Sequence, residues 1–410
     1  MPTSPQPSPF TPNERRIVHL TGFGHAATHY VELVYPTLAV GLAAETGLPV
    51  TEVLAWSFAG YLLFGLGALP AGIAADHWGA RPVILVGLLG SGLSALAASQ
   101  VPTGWPIALC LAGIGASASC YHPAGTGLLS RAVVARGRAL GINGIYGNAG
   151  IALAPILTAL MSEKIGWRAT FAVTGSALLV GTVVFAQMRF AEPARGQGEE
   201  PQSSGASPIH RGIGPFLAVC FTATLGGFMY RANTVAQPAL FSTEIDFVGY
   251  GVAASGAMLV GLLGQYLGGI LADRRELRGS YLAFHVASVP LLIAIAWNTG
   301  VPLFVASAMY VFFALGMQPI ENSLFAALTP ERWRSTAYGI KFTLTFGIGS
   351  TAVWMVYDVA RAEGWPAVYW ALVLVALGLI AGIGILYALT RGQPVRNRET
   401  PSTLGQETST

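Results

Sequence analysis

What this chain lacks first is charge. Asp, Glu, Lys and Arg together make up 10% of its 410 residues, against roughly 25% in ordinary soluble domains. A chain so poor in charge cannot cover a large soluble surface. Cysteine is scarce too: Cys110, Cys120 and Cys220 all sit inside apolar runs at unrelated spacings. That excludes a disulfide framework and a thiolate metal site, and suits buried thiols. No Gly-rich loop with a following Lys is present, so direct coupling to a nucleotide is unsupported. No nucleophile-base arrangement stands out either, and the chain is not expected to be an enzyme or to need a cofactor. No cleavable leader is expected, because the first apolar run is full length and lacks a clear cleavage site.

What is there is hydrophobic: 53% of the residues. Apolar runs of about 20 residues, long enough to cross a bilayer, recur from end to end. Twelve spans are placed near 17–43, 53–75, 82–100, 104–130, 138–161, 168–188, 213–240, 247–272, 280–299, 301–328, 335–360 and 365–390. The expected fold class is an all-α polytopic membrane protein with two six-helix halves, 17–188 and 213–390. Residues 1–16 are Pro/Ser/Thr-rich and read as a disordered tail, and 391–410 as a tail on the same side. Between the halves lies a flexible linker, 189–212, containing AEPARGQGEEPQSSGASPIHRG.

Positive charge tests this topology independently. Seventeen of the 22 Lys and Arg residues fall on the side of the two termini and the linker. Lys164, Arg168 and Arg361 fall on the other side, and only Arg231 and Lys341 lie within spans. The bias predicts cytoplasmic termini in the inner (plasma) membrane.

The halves also repeat. Gly72-Ile-Ala-Ala-Asp76, closing the second span, matches Gly269-Ile-Leu-Ala-Asp273, closing the eighth; Arg138-Ala-Leu-Gly-Ile142 echoes Thr336-Ala-Tyr-Gly-Ile340. Repeated six-span halves imply a transporter whose binding site lies near the midplane between them. Gly72-Ile-Ala-Ala-Asp76-His-Trp-Gly79-Ala-Arg81 resembles the signature loop of the major facilitator superfamily, and the resemblance covers the whole chain. THYVELVYP in the first span, GIGASASCYHPAGTGLLSR in the fourth and RGRALGINGIYGNAGIALAP in the fifth are similar to its fosmidomycin-resistance-like branch.

The resemblance implies a cytoplasmic gate motif of Gly72, Asp76, Gly79 and Arg81, with Asp273 as its second copy. Asp76 can hold a helix N-terminus or a neighbouring Arg, and the glycines permit close approach and a tight turn. The second copy runs on into Arg274-Arg275-Glu276, so a weaker or different latch is expected there. Gly147, Gly150 and Pro155 resemble the Gly- and Pro-rich motif associated with antiporters, although Ala154 stands where that motif has Gly. Helix packing alone explains them equally well. The Arg that drug-proton antiporters carry early in the fourth span is missing, and His122, beside Pro123, is the nearest ionisable group.

The sharpest signal is a polar stripe in an apolar helix. At 100° per residue, Thr21, His25, His29, Glu32 and Pro36 share one face. His122, Arg231, Glu321 and Lys341 add ionisable groups from other spans. Each would cost about 2.5 to 3.5 kcal/mol on insertion scales if it faced lipid. Structural ion pairs are one explanation. The functional one has Arg231 and Lys341 attracting an anion while Glu32, His29 and His122 exchange protons. His285 and Asp358 are read as interfacial and left outside the site.

The leading expectation is a monomeric, proton-coupled secondary transporter that exports a small organic, anionic compound. Its partners are that compound, protons and the bilayer, with no nucleic acid and no metal. Uptake of an organic anion is the alternative in direction. A metal-ion transporter using His25, His29 and Glu32 is the alternative in substrate, since i, i+4, i+7 spacing brings them together. A sensor on a transporter scaffold is disfavoured, because no effector domain is visible.

Overall fold

A computed structural model describes residues 10–133, 136–192, 213–329, 334–390 and 394–395. Most of the linker and of both tails lies outside the described residues. The first span is α1 (Pro12–Thr46). It begins ahead of the predicted boundary at 17 because Thr11 and Glu14 form a capping box, with Pro12 in the first turn. The second span is broken into α2 (Val50–Ala55), α3 (Phe58–Leu66) and α4 (Ala68–Trp78), and the third is α5 (Ala80–Gln100). The fourth comprises α6 (Trp105–Ala118) and α7 (Tyr121–Ala132). The fifth and sixth share α8 (Arg136–Gln187), which reverses at Gly166, where φ is 78°. That left-handed conformation suits glycine, which has no Cβ to clash.

The second half repeats the plan. It contains α9 (Gly214–Glu244), α10 (Tyr250–Arg274), α11 (Leu277–Trp297) and α12 (Gly300–Leu328). The eleventh span is irregular: α13 (Arg334–Phe342), a π turn (Thr343–Gly347), a 3-10 turn (Ile348–Thr351) and α14 (Ala352–Glu363). The twelfth is α15 (Trp365–Leu389). The twelve spans thus form two six-helix halves. Their outer faces are apolar and uncovered, as Leu374 at 71% exposure shows, which fits lipid rather than water. Trp105 and Trp297, at the end opposite the termini, and Trp78, at the terminal end, are exposed where aromatic residues mark membrane interfaces.

The halves meet along three seams. α1 packs on α9, α8 on α10, and the broken second span on the broken eleventh. At the end opposite the termini, α14 rests on α2, and the Ser255 hydroxyl of α10 accepts a hydrogen bond from Ile156 N–H at 2.9 Å. Ile156 follows Pro155, which has no N–H and interrupts the helix ladder. At mid-height, a methyl group on Gly65 of α3 would lie 2.1 Å from the Gly347 nitrogen, so the two backbones touch directly.

Candidate functional site

The polar stripe of α1 faces inward. His25 and His29 lie one turn apart with ring centroids 4.8 Å from each other. His25 Nδ1 is 2.9 Å from the Asn143 carbonyl. A carbonyl only accepts, so Nδ1 carries the proton and Nε2 the lone pair. His29 Nδ1 lies 3.2 Å from Glu32 Oε2, which fixes the same tautomer. His122 joins them from α7, its centroid 5.2 Å from His25 and 5.1 Å from His29. Its buried Nε2 finds no hydrogen-bond partner among the described residues.

Close packing makes this meeting possible. A methyl group on Gly147 would stand 2.5 Å from the His25 ring, and one on Gly150 would stand 2.2 Å from the Ala26 carbonyl oxygen. Asn143, on the same rod of α8, donates to Tyr121 Oη at 2.8 Å and to Thr21 Oγ1 at 3.3 Å. Tyr121 stacks on His25 with centroids 5.0 Å apart.

Glu32 then crosses the interface. Its Oε1 accepts from Arg231 Nη2 of α9, so this carboxylate bridges the halves. Arg231 is 1% exposed, and its guanidinium lies 3.6 Å from the centroid of the Tyr61 ring. Its Nε and Nη1 have no hydrogen-bond partner among the described residues. A small cavity beside Glu32 and Tyr61, with room for about one water molecule, is lined also by Ser57 and Phe64. Glu32 is therefore paired with a cation, the Arg231 guanidinium.

The second half holds its own cluster. Lys341 Nζ of α13 lies 2.8 Å from Glu321 Oε1 of α12 and also binds the Asn322 side chain. Tyr281 of α11 donates to Glu321 Oε2 at 2.8 Å. His285, left outside the site on sequence grounds, is buried with its ring 4.6 Å from that of Tyr281. The two clusters face each other through aromatic rings, since Phe342 and Phe346 of the eleventh span stack on His122 at 5.6 and 5.8 Å. Tyr61, Tyr121, Asn143 and Tyr281 were missed by sequence reasoning because no charge marks them; His285, read as interfacial, is instead buried beside Glu321's partner Tyr281. Asp358 takes no part in either cluster.

At the terminal end, Asp76 takes the second of the two partners open to it, a neighbouring Arg. Asp76 lies 3.7 Å from Arg131, both exposed. The N-terminus of α5 is held by Glu192, whose carboxylate accepts from Ala80 N–H at 3.0 Å and Arg81 N–H at 2.8 Å. Arg81 donates to the Ala186 carbonyl at 2.6 Å. Gly79 turns the chain into α5 with φ 96°, and a methyl group on Gly72 would approach Pro123 at 3.3 Å. The Asp273 side chain lies outside the described residues.

The second copy has its Arg after all. The spacing that pairs Gly72 with Gly269 pairs Arg81 with Arg278. Arg278 is buried, binding Glu276 at 2.5 Å and Thr390. Glu276 also caps α11 through Gly279 N–H at 2.7 Å and accepts from Val395 N–H at 3.2 Å. Burial alone would raise the Glu276 carboxyl, but the hydrogen bonds from Arg278, Gly279 and Val395 outweigh it and hold it below the usual range.

Comparison with known proteins agrees with this architecture. Residues 20–353 match the family described as Major Facilitator Superfamily. The multidrug efflux pump Tap of Mycobacterium tuberculosis (strain ATCC 25618 / H37Rv) is 26% identical over 353 residues, covering 78% of this chain and 81% of Tap. The MFS-type transporter YfnC of Bacillus subtilis (strain 168) is 24% identical over 335 residues, or 77% and 78% of the two chains. Among solved structures, an inward-facing, occupied bacterial homologue of the human lysosomal transporter Spinster superposes with a TM-score of 0.70. It shares 15% identity and covers 93% of this chain and 98% of that one.

Proposed function

This chain belongs to the Major Facilitator Superfamily and is a membrane transporter rather than an enzyme, and we propose that it moves a small organic anion across a bacterial inner membrane by alternating access, coupled to protons. The termini face the cytoplasm in this reading, supported by the Arg bias of the terminal side. The observation that carries it is Arg231: buried at the interface of the halves, it spends one nitrogen on Glu32 and keeps Nε and Nη1 for another acceptor. Unspent guanidinium N–H donors in a buried site suit an anionic oxygen, such as that of a carboxylate or phosphonate.

In this reading Glu321 takes up the proton, in place of the Glu32, His29 and His122 suggested by the sequence, while the Glu32–Arg231 pair keeps its charges because a guanidinium does not deprotonate. A buried anion adds one negative charge to a site whose pairs already balance. Protonating Glu321 restores neutrality and frees Lys341 to face the anion.

Each direction of transport has its own support. Export is supported by the branch resemblance and by similarity to an efflux pump. Uptake is supported by the ion pairs, because an anion and a proton that favour each other's binding travel together. A thermal-shift screen of anionic, cationic and neutral compounds on purified protein tests the substrate class. Stabilisation by anions, lost in Arg231→Ala, is expected; stabilisation by cations alone sinks the anion reading. In proteoliposomes with an imposed pH gradient, Glu321→Gln is expected to retain anion exchange and lose gradient-driven accumulation. The direction of the wild-type response separates uptake from export.

A further inference from the structure

We propose that His25, His29 and His122 form a binding site for a divalent first-row transition ion of the zinc type, held by three ring Nε2 atoms with a fourth coordination position open. This does not rest on the anion reading above. It also departs from both sequence expectations: the leading one named no metal, and the alternative took Glu32 as the third ligand, where the structure supplies His122.

The first argument is the direction of the lone pairs. The Asn143 carbonyl and the Glu32 carboxylate each accept from a histidine Nδ1, so the Nε2 atoms of His25 and His29 are left as acceptors. His122 Nε2, buried, has no partner among the described residues. The histidines' ligand atoms all lie within 4.8 Å of one another. Acceptors gathered in a buried space are stable when a cation or a donor lies among them.

The second argument is spacing. A tetrahedral ion about 2.1 Å from three ring nitrogens places the ring centroids about 5 Å apart. The observed separations are 4.8, 5.2 and 5.1 Å. Small rotations would bring the nitrogens to bonding distance without moving the helices.

The third argument is the outer support. Metal-bound histidines donate their second N–H to a carboxylate or a backbone carbonyl, which fixes the ring and raises its basicity. Glu32 and Asn143 fill those two roles. Glu32 also stands between the site and Arg231, screening the ion from the guanidinium. Neutral imidazoles select zinc, copper, nickel or cobalt over magnesium or calcium. Three protein ligands leave a position for water or an anionic donor, as in exchangeable rather than closed sites. All three ligands belong to the first half, with Phe342 and Phe346 of the second half packed on His122. Separation of the halves would therefore uncover the site without taking it apart.

The test uses the full chain in detergent, free of a polyhistidine tag and stripped with chelator. Zn2+ is titrated against a chromophoric competitor, and zinc-edge X-ray absorption is recorded on the loaded wild type. One equivalent is expected to bind, with imidazole scattering and nitrogen neighbours at about 2.0–2.1 Å. His122→Ala is expected to weaken binding by more than about 100-fold, and Glu32→Gln by about 10- to 100-fold. His77→Ala, at the terminal end of α4, is expected to bind as the wild type does. If His122→Ala does not fold, the wild-type absorption spectrum decides alone. Absence of stoichiometric binding below about 100 μM, a first shell without imidazole, or unchanged binding in folded His25→Ala/His29→Ala/His122→Ala overturns the proposal.

Discussion

The two halves share one plan and carry opposite chemistry at the same place. The repeat that sets Arg138 against Thr336 also sets Asn143 against Lys341. Both residues tie the fifth span of their half to its fourth, Asn143 through Tyr121 and Lys341 through Glu321. In the first half the tie is neutral and leaves three imidazoles beside it; in the second it is an ion pair with a tyrosine and a histidine alongside. The only ion pair described between the clusters, Glu32–Arg231, runs across the interface. At equivalent turns of one repeated plan, the first half thus presents imidazole rings and the second a buried ion pair.

That contrast breaks most severely at Lys341. Lys341→Asn gives the second half the residue of the first and strands Glu321 in a buried site. Losing one partner of a buried pair costs about 3–5 kcal/mol, and the melting temperature is expected to fall accordingly. Adding Glu321→Gln should recover much of that loss, and an unchanged melting temperature in Lys341→Asn alone would remove the ion pair from the account.

A milder cut falls on the first half. Asn143→Ala deprives the buried Tyr121 hydroxyl of its partner, an effect of about 1–3 kcal/mol. It also tests whether the His25 ring is held by the neighbouring backbone rather than by the amide. Because the Asn143 carbonyl remains, zinc binding should change less than stability does.

The gate ends offer the smallest and most selective test. Glu192→Ala removes the cap of α5 and is expected to cost about 0.5–2 kcal/mol. Its counterpart in the second half responds to acid. The Glu276 carboxyl is held below its ordinary value, so its contribution is present above the unfolded value near about 4.3. That contribution is lost as the pH falls through the folded value. Wild-type stability should decline more steeply than that of Glu276→Gln below about pH 4; parallel curves would show that the carboxylate does not stabilise this end.

The spans, the division into halves and most charged members of both clusters were legible because charge in an apolar run is conspicuous. Arg231, Glu321, Lys341 and the α1 stripe needed only hydropathy and helical spacing. Their pairing was not legible, because spacing within one helix says nothing of how a second helix is rotated against it. Glu32 could equally have faced a metal, a proton or a base. Tyr281 and Asn143 were missed for a different reason: an uncharged polar residue hardly disturbs hydropathy, and its role appears only with its partner. Arg278 did not stand out as the counterpart of Arg81 because Glu276 replaces the motif's glycine.

The contact of Gly65 with Gly347 has a mechanical consequence. The rings of Phe64 and Phe346 meet beside it at 5.0 Å between centroids, and the point lies 15 residues from Val50 and 13 from Trp78 along the second span. Those arms are each about 20 Å long at 1.5 Å per residue. The span bends by 41° just past this crossing, so its two arms are joined at a hinge rather than forming one beam, and each can tilt against the eleventh span about a point where the backbones touch. A side chain at Gly65 would push those two backbones apart at the hinge itself.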